Sequence, residues 1–213
     1  MNDSSITKEW PPSFTLNQEK ILNLLTGDRF YSNASAVLRE SVLNAIDAIH
    51  RRKIDEPELK PDISVNFDQE NLTLSVSDNG VGMDQSTMTQ LFTQIGSSAS
   101  ALEANPSSVG EFGIGVISYF MAGDSFSVHT YDGESEPIGL LFSRKMLAGG
   151  TAEPIKSKRD DRGTTVEIKI RDKDTFSLLI KNFPHWCRDV EGLSALMQPN
   201  GVTLHQGGVR ESR

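Results

Sequence analysis

The chain has 213 residues, 37% hydrophobic and 23% charged, which is typical of a globular protein and excludes a disordered, collagen-like or coiled-coil chain. Its one cysteine, Cys187, excludes a disulfide framework and a cysteine-rich metal site. The net charge of −8 argues against nucleic-acid or membrane binding through overall charge, and without a bilayer-spanning run or a secretory signal we expect a cytoplasmic protein.

The predicted elements mix helices with antiparallel strands, without the strict β-α-β order of a parallel sheet, so the predicted fold class is α+β. A loose polar arm over residues 1–15 comes first. The predicted helices cover 17–25, about 33–53, 84–92, a segment after Gly110–Gly115 ending near 121, and 175–186. The predicted strands cover 63–67, 72–76, 126–131, 138–142, 165–170 and 202–205. Small residues over 96–109 indicate a mobile loop.

The second predicted helix carries a polar stripe in an unusual place. At about 100° per residue its apolar side is formed by Leu38, Val42, Ala45 and Ile49. The opposite side carries Glu40, Asn44 and Asp47. Apolar residues flank this stripe, namely Val37, Leu43 and Ile46. The pattern suggests a polar cleft, although a stripe of this kind can equally be an ordinary solvated face.

Three glycine-containing motifs follow the stripe along the chain. Asp78 to Met83 ends an alternating strand and combines a carboxylate with two glycines, which let another backbone come close. Gly110 to Gly115 precedes an apolar helix, whose first N–H groups can bind phosphate. Gly163-Thr164 begins a strand. Each motif alone is a weak signal of function.

Two basic clusters interrupt the acidic sequence, at 50–53 and at 156–159. The first ends a helix, where cations interact favourably with the helix dipole. The second is followed at once by Asp160 and Asp161. We interpret both clusters as solvated surface.

The order and spacing of the motifs together are specific. Glu-x-x-x-Asn-Ala-x-Asp-Ala over 40–48, Asp-x-Gly-x-Gly over 78–82, Gly-x-Phe-Gly-x-Gly over 110–115 and Gly-Thr at 163–164 resemble the GHKL ATPases, which include DNA gyrase, the ninety-kilodalton heat-shock chaperones, histidine kinases and MutL. The runs at 30–33, 38–40 and 111–115 are most similar to the chaperone's N-terminal domain. The resemblance covers about residues 15–205. It implies a Bergerat-type two-layer α/β sandwich, with a mostly antiparallel twisted sheet and helices on one face.

The resemblance also implies an Mg²⁺-dependent ATPase that binds ATP and ADP. Glu40 then acts as the general base and Asn44 as the Mg²⁺ ligand, while Asp47 lies near the nucleotide and Arg39 restrains the base. Asp78 accepts from the adenine amino group. The other residues that the resemblance places at the nucleotide are Gly82, Met83, Gly110, Phe112, Gly113, Ile114, Gly115, Val116 and Thr164.

One departure from the chaperone pattern concerns the lid over 96–109. Where the family has a lysine near the phosphates, this chain has Gly96 or a serine, so we expect slow hydrolysis by the domain on its own. We expect the ATP-binding domain to span 16–206 and 207–213 to begin a linker to a downstream domain. The implied partners are those downstream domains, a second copy in a homodimer and a client protein, with no membrane or nucleic acid bound by this domain.

Other functions fit the same motifs. A histidine kinase is disfavoured because no histidine precedes His50. Gyrase and MutL carry different surroundings for the glycine loop. A nucleotide-gated interaction module without significant hydrolysis, or the ATPase domain of a defence or DNA-processing assembly, stays open as an alternative to a chaperone-like machine.

Overall fold

The computed structural model describes residues 36–93, 115–148, 151–187, 190–199 and 201–206. The predicted N-terminal arm, the helix over 17–25, the lid over 96–109 and the tail over 207–213 lie outside the described residues. The start predicted for the second helix, at Ser32 or Asn33, lies outside them as well.

The described strands form one sheet of eight, in the order β5-β4-β3-β6-β2-β1-β7-β8. Their bounds are β1 Ile63–Asp68, β2 Thr73–Asp78, β3 Gly123–Tyr131, β4 Ile138–Ser143, β5 Glu153–Ile155, β6 Gly163–Ile170, β7 Leu193–Gln198 and β8 Val202–Gln206. Every described neighbour pair is antiparallel except β1 with β7. The sheet is therefore mostly antiparallel, as predicted.

Four described α-helices accompany the sheet. They are α1 Ala36–Asp55, α2 Gln85–Thr93, α3 Gly115–Ala122 and α4 Lys173–Trp186, and a 3₁₀-helix covers Arg144–Ala148. Asp84 caps α2 by accepting from Thr87 N at 2.7 Å, and Asp172 caps α4 by accepting from Thr175 N at 2.7 Å.

The core lies between the helices and one face of the sheet. The predicted apolar side of α1 is confirmed, because Leu38, Val42, Ala45 and Ile49 are all buried. On β1 the alternate residues Ile63, Val65 and Phe67 face the same core. The Phe67 ring packs edge-on against Phe176 and Phe183 of α4. One layer of helices packed on one layer of strands makes the predicted two-layer α+β fold.

The structure corrects two sequence interpretations. The strands β5 and β7 were not predicted, although in β7 Leu193, Ala195 and Met197 alternate on the core side. The basic clusters are not simply solvated surface, since the side chains of Arg52 and Arg159 are only 17% and 8% exposed. In the described part of the chain, no helix combines the length and hydropathy that a membrane span requires.

Candidate functional site

A row of polar side chains crosses three neighbouring strands where apolar residues would be expected. In β2, β6 and β3 the positions facing the helices alternate with those facing outward, and most of them are apolar, as Val76, Ile168 and Val128 are. At one end of the strands the same positions hold Asp78, Thr164 and Thr130. The register places Asp78 opposite Thr164, and Thr164 opposite Thr130. The helix-covered face therefore ends in a polar row.

Asp78 is the charged member of this row. The residue is 8% exposed, and its Oδ1 accepts from Gly80 N at 2.7 Å and from Thr164 N at 3.3 Å. Among the described residues, no donor reaches its Oδ2. A buried carboxylate with one oxygen anchored by the backbone and the other unpaired can accept a hydrogen bond from a ligand.

The environment of Asp78 also sets its protonation. Burial raises the pKa of this carboxyl from its ordinary value of 3.8 to about 6, because a buried charge loses its hydration. The N–H groups of Gly80 and Thr164 and the positive charge of Arg159 act in the opposite direction. At neutral pH the group is anionic, and it becomes neutral in mildly acidic solution.

The turn after β2 is held against α1 by close backbone packing. Val81 N donates to Ala48 O at 3.0 Å. A Cβ at Gly80 would lie 2.5 Å from the Ala48 Cβ, so both positions require small residues. Arg52 adds a hydrogen bond from its Nη1 to Asn79 O at 2.9 Å. These contacts hold the turn that follows Asp78 at the end of α1.

Gly82 and Met83 continue the chain along the end of β3. Gly82 has φ +72°, in the left-handed region that favours glycine. Met83 N donates to Thr130 Oγ1 at 2.9 Å. Thr130 Oγ1 also lies 3.2 Å from Gly163 O, to which it donates, and 3.0 Å from Thr164 Oγ1. Since a hydroxyl has one hydrogen to donate, the Thr164 hydroxyl supplies the hydrogen between the two threonines and keeps its own lone pairs for another donor.

Replacing Gly82 by alanine is expected to disrupt this end of the sheet. The added Cβ would lie 2.0 Å from Tyr131 O, and the residue would stay at positive φ. Positive φ alone costs roughly 1–2 kcal/mol, and the contact with backbone adds to that loss of stability. Gly201→Ala is the matched control, because Gly201 has φ +61° but no atom within 4 Å of such a Cβ. Chemical denaturation measures both variants, and equal losses would contradict the packing argument.

The polar stripe of α1 contacts a buried tyrosine of α3. Tyr119 is 2% exposed, and its hydroxyl oxygen lies 3.4 Å from Asn44 Nδ2, which donates to it. Burial raises the pKa of the Tyr119 hydroxyl, the hydrogen bonds with Asn44 and Ser41 lower it, and the charges of Glu40 and Asp78 raise it. The charges of two carboxylates, one from α1 and one from β2, therefore act on the Tyr119 hydroxyl.

The remaining predicted site residues are less closely joined. Burial raises the pKa of the half-buried carboxyl of Asp47. The charges of Arg51 and His50, on the same helix, lower this pKa by a smaller amount. Gly115 and Val116 form the first turn of α3. The predictions for Gly110, Phe112, Gly113 and Ile114 lie outside the described residues.

Three features of this site were not predicted from the sequence. Thr130 could have been found, because it follows Phe126 and Val128 in the core-facing phase of its strand. The Tyr119 hydroxyl has no comparable signal, since an aromatic residue in an apolar helix is ordinary core. The ion pair of Glu56 with Arg162, at 3.0 Å, joins the end of α1 to the turn before β6 through a long-range contact, and the local pair of Glu56 with Arg52, also at 3.0 Å, supports it.

Comparison with known proteins places these features in a wider group. A family model described as "Histidine kinase-, DNA gyrase B-, and HSP90-like ATPase" matches residues 31–175. The chaperone protein HtpG of Acinetobacter baylyi is 31% identical over 81% of this chain and 29% of its own length. HtpG of Fusobacterium nucleatum is 29% identical over 80% of the chain and 30% of its length. The mitochondrial TNF receptor-associated protein 1 homolog of Dictyostelium discoideum is 27% identical over 75% and 24%. The chain thus spans less than a third of these relatives.

Proposed function

The chain belongs to the histidine kinase-, DNA gyrase B- and HSP90-like (GHKL) ATPase family, and from that premise we propose that it binds ATP and hydrolyses it slowly with Mg²⁺. The observation that carries the proposal is the buried Asp78, whose Oδ2 has no partner among the described residues. A carboxylate in this state discriminates strongly between ligands, because a ligand that offers no donor leaves the buried charge unpaired.

Adenine is the base that fits this acceptor. Its exocyclic amino group donates to Asp78 Oδ2, whereas guanine presents a carbonyl oxygen at the same position and would repel the carboxylate. The Thr164 hydroxyl accepts a second hydrogen bond, directly or through water, since its own hydrogen is used by Thr130. Gly82 leaves room for the base, and Met83, which packs against the core, supports one side of it.

The phosphates and the metal belong to the other end of the site. Mg²⁺ takes few protein ligands and, when bound, neutralises charge on the phosphate oxygens. Asn44 can supply a neutral oxygen ligand to the metal, because its Nδ2 donates to Tyr119 and its Oδ1 is therefore directed elsewhere. The first N–H groups of α3, at Gly115 and Val116, suit a phosphate, together with the predicted loop residues Gly110, Phe112, Gly113 and Ile114.

Glu40 is the proposed general base for the attacking water. It lies on the same face of α1 as Asn44, one turn earlier, and is half-buried. Its charge acts on the same tyrosine hydroxyl as that of Asp78. Asp47 is proposed to lie near the nucleotide without contacting the metal, and Arg39, next to Glu40, is proposed to restrain the base.

We propose for the whole protein a chaperone-like machine whose conformation is driven by ATP. The relatives named as chaperones support this proposal, although the chain covers only 29% of the length of the first of them. Downstream domains, homodimerisation, a client protein and a cytoplasmic location belong to the same proposal.

Calorimetric titration of the chain with ATP, with GTP and with ATP without Mg²⁺ tests the nucleotide assignment. We expect binding of ATP, weaker binding without the metal, and GTP binding weaker by a factor of about 100 or more, because the guanine carbonyl leaves the buried carboxylate unpaired. Equal binding of ATP and GTP would remove the role given to Asp78.

A further inference from the structure

A buried guanidinium lies behind the candidate site, on the opposite face of the sheet. Arg159 belongs to the segment between β5 and β6, and its side chain is 8% exposed. Its Nη1 donates to Ser77 Oγ at 2.7 Å and to Thr165 Oγ1 at 3.1 Å. These hydroxyls belong to the residues next to Asp78 and Thr164, so strand alternation places them on the outward face.

The other hydrogen bonds of the Arg159 side chain fasten the start of β6. Its Nη1 donates to Thr164 O at 3.4 Å, and its Nη2 donates to Arg162 O at 3.1 Å. Asp161 accepts from Nη2 at 3.1 Å through Oδ2 and from Nε at 3.2 Å through its backbone carbonyl. The guanidinium is therefore held in one orientation directly behind the polar row.

The register shows why this position matters for Asp78. Ser77 is paired with Thr165 and Asp78 with Thr164, so the two hydroxyls bound by Arg159 come from the same two strands that carry the site residues. We propose that Arg159 is a positioning residue that fixes β2 to β6 at the polar row and favours the anionic form of Asp78, which is the form able to accept a hydrogen bond with both carboxylate oxygens. The part of this inference that concerns nucleotide rests on the proposed function.

The charges around Asp78 favour this role. The neighbouring α1 presents the uncharged Ala48 and the cation of Arg52 to the turn after Asp78. From α3, the Tyr119 hydroxyl is the titratable group on which the charges of Glu40 and Asp78 act. The segment before β6 contributes Arg159, which lowers the pKa of Asp78, and Asp161, which raises it. The charge of Arg159 lowers the pKa of Asp78, and two further cations, Arg52 and Arg162, bind the carbonyls of the following turn at Asn79 and Val81.

The first test needs no nucleotide. The carboxyl carbon of Asp78 is followed by NMR from pH 4 to 8 in the free protein, and its signal is assigned by comparison with Asp78→Asn. Arg159→Met is expected to move the midpoint of this titration to higher pH, because the favourable charge is gone. Asp161→Asn is expected to move it to lower pH, because the unfavourable charge is gone while Ser77 and Thr165 still hold Arg159. Arg159→Lys keeps the charge, and its Asp78 midpoint is expected to lie between the midpoints of Arg159→Met and of the unaltered protein.

Lys158→Met is the matched control. Lys158 is the neighbouring cation of the same segment, but it is 63% exposed and pairs with Glu167 at 2.6 Å. Its removal should leave the Asp78 midpoint unchanged. A shift as large as that of Arg159→Met, or no shift in Arg159→Met, would overturn the proposal. If Arg159→Met does not fold, Asp161→Asn decides, and an unchanged midpoint there overturns it.

The second test measures ATP affinity at several pH values. In Arg159→Met the affinity should fall most in mildly acidic solution, by roughly tenfold for each pH unit that the midpoint moves. The same loss at every pH would mean that Arg159 only clamps the strands. If the NMR midpoint moves as expected but no variant, nor the unaltered protein, binds ATP, the proposed function fails while the role of Arg159 in the ionisation of Asp78 stands.

Discussion

Asp78→Asn is expected to remove most of the affinity for ATP and, at neutral pH, to stabilise the nucleotide-free protein. The amide can keep its oxygen towards Gly80 N and Thr164 N, and it then presents an NH₂ group where Oδ2 was. Two donors would face each other when adenine enters. Leaving a buried donor unpaired costs about 1–3 kcal/mol, and the lost hydrogen bond to a charged acceptor adds to it.

The gain in stability follows from the same burial that makes the site selective. The pKa of Asp78 is raised from 3.8 to about 6 in the folded protein. Between these values the folded state holds more protons than the unfolded state, so stability decreases as pH rises through about 6 and stays lower above it. Since each pKa unit corresponds to about 1.4 kcal/mol, the buried charge costs the fold on the order of 3 kcal/mol at neutral pH. The asparagine variant avoids that cost.

Thermal unfolding of the parent and of Asp78→Asn between pH 3.5 and 8 tests whether the stability of the parent decreases as the pH rises. We expect equal stability at the acid end and a growing advantage of the variant up to about pH 6. Asp124→Asn is the control, because Asp124 is 78% exposed and lies at the far end of β3 from Thr130, so the same chemical change should alter neither ATP affinity nor this pH profile. An Asp78→Asn protein that binds ATP as the parent does would refute the assignment.

The sequence predicted the elements that depend on local pattern and missed those that depend on distant contacts. The hairpin of β1 and β2 was predicted because Ile63 to Phe67 and Leu74 to Val76 alternate and are joined by a short turn. Strand β7 pairs in parallel with β1, far away in the chain, so no turn marks that pairing, although its antiparallel pairing with β8 is local. Its residues, from Leu193 to Gln198, also include no β-branched side chain, which weakens the propensity signal.

The candidate site divides in the same way. Asp78, Gly82 and Thr164 lie in short motifs that the sequence displays directly. Thr130 joins them only through strand register, and Arg159 reaches them from behind the sheet. Runs of charged residues are usually solvated, so the sequence predicts that 156–159 is surface. What distinguishes Arg159 from Lys158 is the pair of hydroxyls on Ser77 and Thr165, and no spacing within the run predicts it.

Glu40→Ala is expected to abolish ATP hydrolysis and to leave ATP affinity within a few-fold of the parent. A general base acts on the attacking water in the transition state, where it typically contributes 10²–10⁴-fold, and it adds little to binding of the ground state. Glu40 lies on the same face of α1 as Asn44, one turn earlier. Single-turnover hydrolysis, measured beside calorimetric ATP binding, separates the two effects.

Asn44→Ala is the matched control on the same helix face. It removes the proposed metal ligand and keeps the carboxylate, so it should weaken ATP binding in the presence of Mg²⁺ and have little effect without the metal. Glu40→Gln keeps the volume of the side chain and should lose hydrolysis as Glu40→Ala does, which excludes a packing effect as the cause. If Glu40→Ala hydrolyses ATP at the parent rate, another group activates the water. If the parent binds ATP but does not hydrolyse it, the domain is a nucleotide-gated module, and Glu40 has no catalytic role in the isolated chain.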